Sequence, residues 1–346
     1  MKISVILCTY NRSQSLIKAL ESVAAQILPE SVEWEVLVVD NNSSDRTREV
    51  AEQFCRRHSS HFRCLFEPKQ GKSYALNAGV RESSGDILAF VDDDVTVEPT
   101  WLENLTAPFR SGGCEWAGCG GRIVPTHTSS LPEWLALEGA YSMLGIVCAH
   151  FDFGDKPFEL DPYHAPYGAN MAYRKSMFEK YGAFRTDLGP GAGDEIRNED
   201  TEFGRRLIRA GERLRYEPSA VVYHPMPQGR LKKQFFLRWW FDFGRALVRE
   251  WGRGPSVLGI PRPYFNILSV LTLTLPPKMW RWILAFNPQE RFYYKCLVWV
   301  TVGQIREYLR LLSKGAETGI VPSLNLAQVE QGANIKPLGT SHPGRH

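Results

Sequence analysis

The chain has 346 residues, 43% of them hydrophobic and 23% charged, the balance of a folded globular protein with room for about two domains. A net charge of +3 excludes a chain-wide basic surface for nucleic acid. Seven scattered cysteines without a C-x-x-C pair exclude a cysteine zinc site and a disulfide framework, and leave reduced thiols as the expectation.

The opening "MKISVILCTYNR" has a short apolar run and no small-residue cleavage site, so it does not read as a leader. No stretch reaches the ~18 apolar residues of a membrane span. The expected location is cytoplasmic. "ISVILC" (3–8) predicts a buried strand. "SQSLIKALESVAAQ" (13–26) has helical spacing at Leu16, Leu20, Val23 and Ala24, with Ser13 as its cap. "WEVLVVD" (34–40) predicts a second strand, and "NSSDRTREVAEQFCRRH" (42–58) a capped helix. "RCLFE" (63–67), "KSYALNAGVRES" (72–83) and "DILAFVD" (86–92) continue as strand, helix and strand. This alternation predicts a parallel sheet with helices on both faces.

Residues 98–230 are richer in Gly, Pro and aromatics. "WAGCGGRIVP" (116–125) reads as a strand around a glycine turn, and "PYGANMAYRKSMFEKYGAF" (166–184) as a strand running into a helix. "RNEDTEFGRRLIRAG" (197–211) predicts a helix ended by Gly211, and "LRYEPSAVVYHP" (214–225) a strand. Farther on, "QFFLRWWFDFGRALVREW" (234–251) sets Phe236, Trp240, Phe243, Leu247 and Trp251 on one stripe. Arg238, Asp242, Arg245, Arg249 and Arg253 form the opposite stripe. Residues 314–346 are rich in Gly, Pro, Ser and Asn and read as disordered.

Ligands of such sheets sit beyond the carboxyl ends of the strands, where "CTYNR", "DNNSSD" and "VDDDV" all fall. Three adjacent aspartates repel one another unless something compensates their charge. Hard divalent cations take such oxygen ligands together with substrate phosphates. Taken alone, the triplet reads equally as an acidic turn before a helix.

In this order and spacing, "VILCTYNR", "VLVVDNNSSD", "GKSYALNAG", "AFVDDDV", "YGANMAYRKSMFEKYGAF" and "NEDTEFGRRLIRAG" resemble the family-2 glycosyltransferases of GT-A fold, over about residues 1–225. The resemblance implies a Rossmann-like, mostly parallel nucleotide-binding sheet flanked by helices and merged with an acceptor subdomain. Residues 1–97 would be the nucleotide-sugar half and 98–228 the acceptor half. A mainly helical extension (229–313) and the tail (314–346) would follow.

It further implies a nucleotide-diphospho-sugar donor, UDP-linked by expectation, and a Mn²⁺ or Mg²⁺ cofactor. Thr9, Tyr10, Asn11 and Arg12 would line the nucleotide pocket, or the turn residues only shape it. Asp40 would accept from the base, or cap the next helix. Lys72 would lie near the diphosphate, or be a solvated helix start. Asp92 and Asp93 would hold the ribose or support the site through water, and Asp94 would ligate the metal. His224 is a further metal ligand or a plain strand-end histidine. Glu199 and Asp200 match the family's acid pair, with Asp200 as general base in a single displacement with inversion; a helix N-terminus favours such acids in any case. Gly168, Asn170 and Arg174 would form part of the sugar and acceptor floor.

The 230–253 segment holds seven Lys/Arg against two acids. A basic, aromatic, amphipathic helix suits peripheral attachment to the inner membrane face through 230–312, or else packs on the catalytic domain. A lipid-linked sugar acceptor, in envelope polysaccharide or glycolipid synthesis, would fit the first. Two other classes compete. A nucleotidyltransferase or a dehydrogenase would open with a glycine-rich loop where "CTYNRSQS" stands. A non-catalytic nucleotide-sugar-binding protein would have lost the D-x-D or the Glu-Asp pair, and both are present.

Overall fold

The computed structural model describes residues 1–110, 115–126, 131–136, 139–143, 145, 149–191, 196–226, 228–251 and 260–313. Cys114, Cys148, Arg253 and the tail expected to be disordered lie outside these residues.

Four apolar runs form the parallel part of the sheet: β1 (Lys2–Thr9), β2 (Glu33–Asp40), β3 (Phe62–Phe66) and β4 (Ile87–Asp92). The helices α1 (Leu16–Ala24), α2 (Thr47–Arg57) and α3 (Lys72–Glu82) connect them. Strands covered on both faces must be apolar throughout, and Val5, Ile6, Leu7, Val36–Val39 and Ile87–Phe90 are all buried. Each fully buried Leu, Ile or Val contributes about 1.5–3 kcal/mol.

The sheet continues through β5 (Thr96–Val97), β6 (Gly118–Thr126), β7 (Phe158–Glu159), β8 (Met171–Arg174) and β9 (Leu214–Pro225) in the order β3-β2-β1-β4-β8-β6-β9-β5, with β7 beside β9. Beyond β4 it is mixed: β8 runs antiparallel to β4 and β6, and β6 runs parallel to β9. Between these strands lie α4 (Trp101–Thr106), α5 (Lys175–Tyr181) and α6 (Glu199–Arg209).

Several sequence expectations need correction. The first helix begins at Leu16, not Ser13, because the Arg12 and Ser13 amides are tied to Thr47 and Asp45 of the next loop. The second begins at Thr47, after a loop in which Asp45 accepts from the Thr47 amide. Instead of turning at its glycines, β6 runs straight through with a register shift between Gly121 and Arg122. Cys55 on α2 and Cys64 on β3 are joined as a disulfide, their Cα atoms 6.3 Å apart, because the helix packs directly over the next strand. The reduced-thiol expectation fails for these two. Cys8, Cys119 and Cys296 are free.

The C-terminal region is helical: α7 (Lys233–Trp251), α8 (Arg262–Ser269), a π-helical turn (Val270–Thr274), α9 (Leu275–Leu284) and α10 (Pro288–Ser313). Pro276 and Pro277 do not interrupt it, since they sit in the first turn of α9 where their missing N–H groups are harmless. The arginine stripe of α7 divides: Arg238 is exposed, while Arg245 and Arg249 are not solvated. Arg245 and Arg249 turn onto α10, where Glu307, fully buried, accepts from both and from Arg310. The two helices approach so closely that a Cβ on Gly244 would strike the Val300 carbonyl, and one on Gly303 the Phe241 carbonyl.

Candidate active site

Register explains why three loops separated in sequence meet. Thr9 lies beside Asp40, and Cys8 beside Asp92, so β1, β2 and β4 end at one edge. The antiparallel pairing of β4 with β8 delivers the Gly168–Ala169 turn to the same edge. Pairing of Thr96 with Tyr223 brings the end of β9 back to the triplet. A cleft of about 1010 Å³ opens there, at the upper end of the usual range for ligand sites.

The triplet's charge is compensated by cations. The Lys72 ammonium donates to Asp92 at 2.7 Å and lies 3.7 Å from Glu199. Burial opposes its charge, but Asp92, Glu199 and Asp200 outweigh that and raise its pKa. Burial likewise pushes Asp92 up, yet Lys72 outweighs it and holds Asp92 ionised. Asp94 has Arg230 at 3.3 Å, Arg12 at 3.6 Å and the His224 Nε2 at 3.7 Å. Asp93, buried beside Asp94, is pushed up to about 7. One ligand atom each from Asp92, Asp94 and His224 lies within 4.8 Å of the others. Two carboxylates and an imidazole at that spacing fit a Mn²⁺-type ion.

Glu199 and Asp200 open α6 and part company. Glu199 is buried against Lys72, and burial together with Asp200 raises its pKa. Asp200 faces the cleft. Its Oδ2 accepts from the Gly168 amide at 2.6 Å and its Oδ1 from the Thr201 amide at 2.7 Å. A Cβ at Gly168 would crowd this site, coming within 3.1 Å of that Oδ2 and 3.4 Å of the Lys72 Nζ.

The remaining expected residues divide. Thr9, Tyr10, Arg12 and Gly168 line the cleft with the acids, Lys72 and His224. Asn11, at φ 52°, ties its turn to the next loop by accepting from the Ser44 amide. Asp40 is buried; its Oδ1 accepts from the Ser43 amide and its Oδ2 has no partner among the described residues. It lies on a small neighbouring cavity rather than on the cleft wall. Asn170 is buried, bonded to the Trp101 indole and to the Arg122 and Ala220 carbonyls. Arg174 donates to the Trp116 and Phe109 carbonyls. Neither lines the cleft; both brace the sheet behind it.

Sequence reasoning missed three contributors. Asn41 accepts from the Gly71 amide at 2.7 Å and so fixes the start of the Lys72 helix. Its place in "DNNSSD" was the available signal. Arg230 follows β9 with no motif to mark it. Trp239, Phe243, Leu247 and Trp251 of α7 form the far wall of the cleft. The aromatic stripe was legible there, but its target was not.

Residues 4–182, just over half of the chain, match the family model described as "Glycosyl transferase family 2". The "Glucosyl-dolichyl phosphate glucuronosyltransferase" of Haloferax volcanii is 28% identical over 253 residues, 72% of this chain and 77% of the relative. "Glycosyltransferase AglE" of the same organism is 30% identical over 254 residues, 72% and 74% of the two chains. Among solved structures, the fold is like that of the mannosyltransferase PcManGT from Pyrobaculum calidifontis in complex with GDP-Man and Mn²⁺. The TM-score is 0.53 at 17% identity, covering 91% of this chain and 76% of that one. The family match ends before Asp200 and His224, which the fold brings to the edge that the matched strands build. The chain belongs to glycosyl transferase family 2: it is a glycosyltransferase of GT-A fold.

Proposed function

We propose that the cleft transfers a sugar from a nucleoside-diphospho-sugar, UDP-linked, to an acceptor hydroxyl by single displacement with inversion. The acceptor oxygen forms the new bond at the anomeric carbon, the bond to the diphosphate breaks, and the hydroxyl proton passes to Asp200. The observation that carries this reading is the Asp200 carboxylate, held by two amides in the same cleft as the Asp92–Asp94–His224 cluster. Asp94 and His224 would hold a divalent metal, Mn²⁺ or Mg²⁺, with Asp92 as a third ligand, Asp92 or Asp93 reaching the ribose. The ion supplies positive charge to the leaving diphosphate. Lys72 and Arg12 supply more from the protein.

The aromatic wall of α7 supports an acceptor with an apolar portion, such as a lipid-linked sugar in envelope polysaccharide or glycolipid synthesis. Trp239 and Phe243 stack there at 5.3 Å. Cytoplasmic placement with peripheral membrane contact belongs to this reading.

The test is metal-dependent release of nucleoside diphosphate from a panel of UDP-, GDP- and dTDP-sugars. Asp200→Asn should lower turnover by about 10²–10⁴ while donor binding persists. Undiminished turnover would remove Asp200 as the base.

A further inference from the structure

We infer that the helical run 262–284, with Phe286 beyond it, docks on an anionic lipid surface, its outer side chains entering the headgroup boundary. This rests on the proposal above that the acceptor is lipid-linked.

Among the described residues, eleven of the nineteen exposed large hydrophobic side chains fall between Ile260 and Phe286. Singly exposed leucines need no explanation, but a contiguous apolar surface marks an interaction site. The run packs one side on α10: Val270 is buried with Tyr308 and with Val248 of α7, and Lys278 reaches the Thr301 hydroxyl. Its outer side carries Leu268, Leu273, Trp280, Ile283 and Phe286, the last three at 65%, 61% and 98% exposure. Trp280, Ile283 and Phe286 follow at three-residue spacing, one face of the helix end and the turn after it.

Charge identifies the occupant. Residues 251–289 contain no Asp or Glu, while Arg253, Arg262 and Arg281 are basic and Lys278 is turned inward on α10. Arg281 is exposed beside Trp280 and lies over the Tyr294 ring at 5.6 Å. A two-fold contact between copies of this face would oppose cation to cation with no acid to relieve them. Anionic headgroups over acyl chains satisfy both the cations and the apolar side chains. No described helix is long and apolar enough to cross a membrane, so the contact is a shallow one.

Glu307 consumes Arg245 and Arg249 internally, so these two do not add to the contact made by the 262–286 surface.

The experiment is flotation of the full chain with phosphatidylcholine vesicles, with and without phosphatidylglycerol. Wild type should float with the anionic vesicles and lose binding as salt rises. The triple variant Leu273→Ser/Trp280→Ser/Phe286→Ser should bind at least about tenfold more weakly at an unchanged melting temperature, and Arg281→Glu should weaken the anionic preference alone. Wild type left at the bottom, equal binding to both vesicle types, or undiminished binding by the triple variant would overturn the proposal. So would a wild-type dimer, in the absence of vesicles, that the triple variant abolishes. The two proposals fail separately: Asp200→Asn should float like wild type, and the triple variant should release nucleoside diphosphate from a soluble donor as wild type does.

Discussion

Glu199 and Asp200 are adjacent in sequence and opposite in environment. Asp200 is held at the cleft by two amides, whereas Glu199 is buried against Lys72, which favours Asp200 as the proposed base. Asp94 lies 3.7 Å from the His224 Nε2. Asp94→Asn or His224→Ala should weaken Mn²⁺ binding by about tenfold or more, measured by calorimetry without substrate, since each removes one of the three proposed ligands. A structural carboxylate gives a second prediction. Burial pushes Glu35 up, but the hydroxyls of Ser84 and Ser4, the Ser84 amide and Arg63 outweigh it and hold the group at about 2, against an ordinary 4.5. The folded value is the lower one, so this stabilisation is present above pH 4.5 and is lost as pH falls toward 2. Glu35→Gln should therefore reduce stability at pH 7, by roughly 1 kcal/mol or more, and the difference from wild type should shrink as pH falls from 4.5 through about 2 in thermal melts.

Between elements, a buried ion pair couples α6 to α7. Arg205, one turn beyond Asp200, donates to both oxygens of Glu250 at 2.7 Å, and Glu250 is buried. Arg185 donates to the Arg249 and Glu250 carbonyls and reinforces the contact. The helix that presents the proposed base thus leans on the C-terminal region. Glu250→Ala would leave the Arg205 guanidinium buried without its carboxylate, and should cost about 3–5 kcal/mol in denaturant unfolding. Loss of turnover should accompany it as the N-terminus of α6 shifts. A variant as stable as wild type would show that the pair does not hold α6 in place.

Across the whole molecule, one sheet spans both sequence halves, and α7 closes the cleft that the sheet opens. The C-terminal region is therefore part of the site's wall and not an appendage. Ending the chain at residue 228 would strip the Trp239, Phe243 and Trp251 wall and leave Arg205 unpaired. That shortened protein should be aggregated or markedly destabilised in size-exclusion chromatography and thermal melts. A monodisperse fragment that still turns over donor would refute the dependence.

The parallel strands and their helices were legible because a strand buried on both faces must be apolar along its length, and the connecting helices must show a 3.6-residue period. The strand-end acids were legible for the same reason: the fold class fixes which end binds. Helix starts at Ser13 and in 42–46 were misread because the backbone there serves the loop–loop contacts of Asn11 and Asp45. The Cys55–Cys64 pair and the roles of Asn170 and Arg174 depend on which surfaces face each other, and local pattern does not contain that. The same holds for α7. Its amphipathic period was plain, but a stripe of arginines looks alike whether it meets water, lipid or a buried glutamate. Packing against Glu307 decides it for Arg245 and Arg249, and among the described residues the apolar outer side of 262–286 stays exposed.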